Sequence, residues 1–227
     1  MGNLDAQLGI EKTEKCQCKE IESEYGTIVV STSLSPEFDG GRDELIEVLT
    51  QVDLLVLFED ITGLSPTNQT YYIDHKEKDA DWEGLNLMNV RFSYGRKAYI
   101  SAIHELVHII LRQQDWLNDE VLNSFIARNP EFTVFVRGEG YKIEQMIAYL
   151  VQREAAKYLD DFYEDTNFIE KFNDERFEDI LKSQYQTPKR EKLGRLIIKL
   201  WNERDRSLDI ISFARLVAIR YDELGAL

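Results

Sequence analysis

Histidine is almost missing from this chain. His75, His104 and His108 are the only three among 227 residues. Cysteine is rarer still, with Cys16 and Cys18 alone. One residue apart, they are poor disulfide partners and read as reduced thiols. A Cys-x-Cys metal site would need two further ligands that their neighbourhood lacks. Basic charge is also in deficit: Lys plus Arg is 27 against 42 for Asp plus Glu, a net charge of −15. That balance argues against a groove for nucleic-acid phosphates and against docking on an anionic membrane face. No apolar run approaches the ~18–20 residues that cross a bilayer, and the polar start MGNLDAQLGIEKTEKCQCKE lacks a signal-peptide core. The expectation is a soluble, cytoplasmic protein.

What is present suffices for a core. Hydrophobic residues make up 43% of the chain and charged residues 30%, which suits one sizeable domain. The acidity is lopsided: residues 1–95 carry 7 basic and 19 acidic side chains, residues 96–227 carry 20 and 23. Residues 1–24 read as a polar, flexible lead-in, 25–162 as the main domain and 163–227 as a helical subdomain packed on it. TIVVST (27–32) and TYYID (70–74) have strand composition. LNLMNVRFSY (85–94) is a third strand candidate whose apolar phase switches, suggesting a bulge. Residues 41–60 have helical apolar spacing. Further helices are expected over about 97–113, 116–128 and 141–161, with an extended segment at 131–137 and two or three helices after 164. The order implies an α+β fold, mixed at first and mostly helical afterwards.

Two of the three histidines stand in His104-Glu105-Leu106-Val107-His108. On a helix, positions i and i+4 share a face, so both imidazoles can reach one zinc ion. Glu105, beside the first ligand, can take a proton from water on that ion without becoming a ligand. The surrounding AYISAIHELVHIIL is apolar on nearly every side and should be buried. Burying three polar groups there without partners costs roughly several kcal/mol, and a metal removes that difficulty.

A catalytic zinc takes a third protein ligand. No histidine follows His108, and Leu111 and Gln114 stand where the longer HExxHxxGxxH pattern needs Gly and His. His75, in a polar stretch, reads as a surface residue. A carboxylate is therefore required. Glu144, near the start of the apolar helix KIEQMIAYLVQ, is the foremost candidate, against the simpler role of a first-turn glutamate favoured by the helix dipole. Glu139 and Glu154 are the other carboxylates left open.

HELVH followed by a glutamate on a later helix resembles the zincin metallopeptidases, specifically their glutamate-ligand branch, the gluzincins, over residues 97–160. The resemblance implies a zinc-dependent peptidase with His104, His108 and Glu144 as ligands, Glu105 as general base and a peptide or protein as substrate. It also implies a small mixed sheet over the active-site helix, with an edge strand that binds substrate in extended form, for which LNLMNVRFSY is the candidate. Two features depart from the family. Ala148 stands where thermolysin-like members carry an aspartate that orients a zinc histidine, and their downstream catalytic histidine has no counterpart. Oxyanion stabilisation must come from elsewhere, with Tyr141 and Tyr149 as candidates. Two other readings stand beside this one: a zincin-like binding or regulatory protein without hydrolysis, and a helical module with a structural metal. Glu105 separates the first reading from the last, because a structural site needs ligands but no base. The basic stretch Lys189, Arg190, Lys192, Arg195 and Lys199 is expected to face water or pair with the acidic N-terminal half.

Overall fold

The structure, a computed structural model, describes residues 18–31, 36–67, 69–75, 86–132, 142–163 and 187–225. Within them lie one four-stranded mixed sheet and seven α-helices, an α+β arrangement. The sheet runs in the order β1 (Lys19–Ser23), β2 (Gly26–Val30), β3 (Gln69–His75), β4 (Leu87–Val90), antiparallel at the first pairing and parallel at the next two. Alternation sets the buried face: Ile28 pairs with Tyr71, Val30 with Ile73 and Ile73 with Met88, all of them buried.

Strand β1 replaces part of the lead-in expected up to residue 24. KEIES has one apolar residue, Ile21, and outward-facing charges, the composition of a protected sheet edge. The expected strand at 85–94 stops at Val90. Residues Phe92–Lys97 turn as a 3-10 helix instead, whereas the apolar phase switch between Leu87 and Met88 falls at the start of β4.

The parallel connection from β2 to β3 holds two helices, α1 (Asp39–Gln51) and α2 (Leu54–Thr62), where apolar spacing suggested one. Asp53 makes the break. Its Oδ1 accepts from the N–H groups of Leu55 (2.9 Å) and Val56 (3.2 Å) and from the Ser23 hydroxyl (2.8 Å), capping α2 and fastening it to β1. Helix α1 packs on the 3-10 turn so closely that a Cβ at Gly41 would fall 2.0 Å from the Phe92 carbonyl oxygen. Arg96 on that turn reaches back to both carboxylate oxygens of Glu47, at 3.1 and 3.0 Å. Gly95 beside it adopts φ +55°, a conformation costly for other residues. These contacts set where the next helix, α3 (Ala98–Gln113), begins.

Helix α4 (Glu120–Arg128) follows a 3-10 turn at Trp116–Asn118 and starts at Asp119, which accepts from Val121 and Leu122 N–H. Pro130–Phe132 is a further 3-10 turn rather than extended chain, and the rest of the 131–137 segment lies outside the described residues. Three long helices complete the fold: α5 (Lys142–Phe162), α6 (Pro188–Asn202) and α7 (Ile210–Gly225). Pro188 opens α6 at its first position, behind a Thr187 cap. Phe125 and Phe132 stack at 5.6 Å, and both meet Tyr221 of α7 edge-on. Apolar contact is continuous from the sheet through α3 and α5 to α7. Among the described residues no helix is long and apolar enough to cross a membrane.

Candidate metal centre

Helix α3 is buried on nearly all sides, including Ile100, Ile103, Leu106, Val107 and Ile110. Its first-turn carbonyl at Ile100 accepts from the Gln152 amide of α5 at 3.1 Å, which locks the two helices in register. The packing brings His104, Glu105 and His108 of α3 against Glu144, Gln145, Tyr149 and Gln152 of α5. Glu105, His108 and Glu144 are 3%, 4% and 2% exposed, so three ionisable groups sit in an apolar interface. Such burial is costly unless each finds a partner.

His108 and Glu144 partner each other. Nε2 of His108 lies 3.2 Å from Nε2 of His104. Two nitrogens bound to one tetrahedral zinc at 2.0–2.1 Å stand about 3.3 Å apart, so the pair already has the edge length the ion requires. Nδ1 of His108 lies 2.5 Å from Oε1 of Glu144, and since a carboxylate only accepts, the ring donates there. The Gln145 amide nitrogen lies 3.2 Å from the same Nε2. Burial, and then the neighbouring His108, push the His104 imidazole down to about 3, while the amides of Gln152 and Gln145 oppose that shift. A neutral imidazole is the form that binds metal.

The sequence-predicted residues do not all fall as expected. His104, Glu105 and His108 come together on one helix, and Glu144 joins them from α5. Glu144 nevertheless stands at Nδ1 of His108, behind the ring, rather than beside the two Nε2 atoms. A carboxylate so placed can orient an imidazole whose other nitrogen binds a metal. Its other oxygen, Oε2, is buried without a hydrogen-bond partner, as is Nδ1 of His104. Among the described residues no three His, Cys, Asp or Glu side chains form a ready metal-binding group. The imidazole pair thus fits zinc, and the third position is not filled by a described carboxylate as it now stands. Glu154 is turned to Lys157, at 3.2 Å, and lines a different cleft. Glu139 and Tyr141 lie outside the described residues.

Tyr149 packs its ring on His104, centroids 5.0 Å apart. Burial, and then the charge of Glu105, raise its hydroxyl above the ordinary tyrosine value, so it stays a proton donor. His75 is not the surface residue its sequence context suggested. Its ring lies 4.1 Å from that of Phe38 and 5.3 Å from that of Phe92, and Nδ1 accepts the Phe92 N–H at 3.1 Å. The third histidine therefore braces the turn ahead of α3. Gln145 and Gln152 escape a motif-based reading, because glutamine belongs to no metal or nucleophile pattern. A usable signal is nonetheless present: Gln145, Tyr149 and Gln152 repeat at i, i+4 and i+7, a polar stripe beside the apolar face of the helix.

Two openings lie elsewhere. One, of about 680 Å³, is bounded by residues of α2, α5 and the end of α6, including Asp60, Glu154, Trp201 and Arg204. The other, of about 510 Å³, is a shallow surface along α6. Comparison of the chain with family models, curated protein sequences and solved structures returns no match.

Proposed function

We propose that this protein is a zinc-dependent metallopeptidase of the zincin type, with His104 and His108 holding the ion through Nε2. The observation that carries the reading is the facing pair of Nε2 atoms, 3.2 Å apart on consecutive turns of a buried helix with Glu105 between them. Zinc bound there supplies Lewis-acid polarisation of a peptide carbonyl and acidifies water.

The chain's own groups do the rest. Glu105 accepts the water proton and returns it to the leaving amine. The Glu144 carboxylate holds the proton on Nδ1 of His108 and keeps the ring aimed. The ring of Tyr149 and the Gln152 amide hold His104 and the register of α3 against α5. Strand β4, an edge strand that feeds α3 through a short turn, offers main-chain groups to an extended substrate.

A second reading is a zincin-like binding protein without hydrolysis, which would use clefts such as the two that lie away from the histidine pair. Metal analysis and peptide turnover decide. Purified protein is expected to carry about one zinc per chain and to lose it in His104→Ala. Glu105→Gln is expected to keep the zinc and lose turnover. Full zinc in His104→Ala defeats the metal assignment, and equal turnover by Glu105→Gln defeats the mechanism.

A further inference from the structure

Three helices end around one cleft. The last turns of α2, α5 and α6, with the chain just after α6, enclose the opening of about 680 Å³. That volume is in the range of small-ligand sites, and none of the histidines lines it. Each helix presents its carbonyl end there, which favours a cation. The chain already places one. The Arg204 guanidinium lies over the Trp201 ring, 4.1 Å from its centroid, and donates to the Ile61 carbonyl near the end of α2. Lys157 pairs with Glu154 at 3.2 Å. Those charges are engaged within the walls of the cleft. Three others that line it are exposed and make no hydrogen bond or ion pair among the described residues: Asp60 of α2, Asp161 of α5 and Arg206 beyond α6. Two walls thus offer a free carboxylate each, and the third offers a free guanidinium.

We propose that this cleft binds a small zwitterion with a basic side chain: a basic amino acid, free or at the carboxyl end of a short peptide. Its cationic groups meet Asp60 and Asp161, and its carboxylate meets Arg206. Other ligand classes fit less well. An apolar ligand would strip water from charged groups and give them no partner. A simple anion would face two free carboxylates and three helix carbonyl ends for one free guanidinium. A simple cation leaves Arg206 unanswered. With two free negative charges against one positive, the complementary ligand carries two cationic groups and one carboxylate, the pattern of arginine or lysine. Free arginine has no peptide bond to cleave, so its binding is measured apart from any hydrolysis. Failure of the metallopeptidase reading leaves this site intact.

The test is calorimetric titration of the full chain with L-arginine at low salt, where exposed charges are screened least. Saturable binding is expected. Arg206→Gln, and the double substitution Asp60→Asn with Asp161→Asn, are each expected to weaken it by about three- to tenfold. L-Argininamide, which lacks the carboxylate, is expected to bind wild type more weakly than L-arginine does, but Arg206→Gln equally. L-Citrulline, whose side chain is uncharged, is expected to bind wild type more weakly too, and most of that loss should vanish on the double variant. All three positions are exposed, so both variants are expected to unfold at the wild-type midpoint. Should either be unstable, the comparison of the three ligands on wild type still decides. Absence of saturable L-arginine binding overturns the proposal. So does affinity unchanged in both variants, which would put the ligand elsewhere. Argininamide or citrulline binding wild type as tightly as L-arginine overturns it as well, and so does tighter binding of L-glutamate.

Discussion

His108 is held from both ends of its ring, and the two holds have different consequences. At Nε2 it meets His104 and the Gln145 amide, and at Nδ1 it donates to Glu144 over a short 2.5 Å contact. Replacing Glu144 by Gln keeps the shape and removes the charge that fixes the tautomer. Partners of this kind typically change metal affinity by about 10–100-fold, so a zinc competition titration of Glu144→Gln is expected to show weakening in that range. Abolished binding would instead make Glu144 a direct ligand, as the gluzincin resemblance implies. The HExxH pair is legible in the sequence because i, i+4 spacing on a helix is a local property. The end of the ring that Glu144 reaches is not, because it depends on how α5 lies against α3.

Among the elements, caps decide what hydrophobic periodicity leaves ambiguous. The run from residue 41 to 60 reads as one helix, yet the Asp53 carboxylate outcompetes the helical path by capping Leu55 and Val56 and accepting from Ser23. Asp53→Ala is therefore expected to cost about 1–2 kcal/mol in urea unfolding, the upper part of the range for a lost N-cap. An effect below about 0.3 kcal/mol would mean that the break has another cause.

Asp119 begins α4 in the same way and also pairs with Arg215 of α7, 2.6 Å away. Burial alone would raise its carboxyl. The Arg215 guanidinium and the N–H groups of Leu122 and Val121 outweigh that and hold it below the usual aspartate value. A lowered folded pKa stabilises above the unfolded carboxylate range and stops doing so as pH falls through the folded value. Asp119→Asn preserves the cap and removes the charge. Since Arg215 is half exposed, the variant is expected to be less stable by no more than about 1 kcal/mol at pH 7. The difference should close below about pH 4 in unfolding curves. A difference that persists at about pH 2 would show that the charge is not its source. The basic stretch of α6 likewise pairs close to home. Lys189 meets Glu131, Arg190 donates to the Glu131 carbonyl, and Arg195 meets Glu191. These partners lie in the C-terminal half, and with Lys189 and Arg195 largely exposed the stretch faces water, the first of the two expectations, rather than pairing with the acidic N-terminal half.

Over the whole molecule, one continuous apolar core joins the sheet, the α3–α5 pair and the C-terminal helices, with Phe125, Phe132 and Tyr221 interlocked at the far end. Phe132→Ala is expected to cost about 3–5 kcal/mol in chemical unfolding, as for a large aromatic removed from a filled interior. A cost under about 1 kcal/mol would mean that α7 packs there only loosely.

Charge is distributed over the molecule just as unevenly. Most of the −15 belongs to residues ahead of α3, in the part that builds the sheet and the strand leading into the candidate site. If that surface faces substrate, basic peptides are expected to be cleaved faster than acidic ones at low salt. The gap should narrow as the Debye length shrinks from about 10 Å at 0.1 M to about 3 Å at 1 M. Equal rates at low salt would remove the idea.

Two kinds of information separate in this chain. Reading residues in order is enough for the α+β arrangement, the strands at 27–30 and 70–74, the helix that carries HExxH and the pairing of its two imidazoles. Each follows from local periodicity or from spacing along a single helix. Packing in three dimensions was needed to learn that Glu144, 36 residues away, meets Nδ1 rather than Nε2 of His108, that Gln145 faces the pair, and that His75 braces a turn. Those outcomes depend on the crossing and register of separate elements. Both are set by contacts across the core, which no short window of sequence contains.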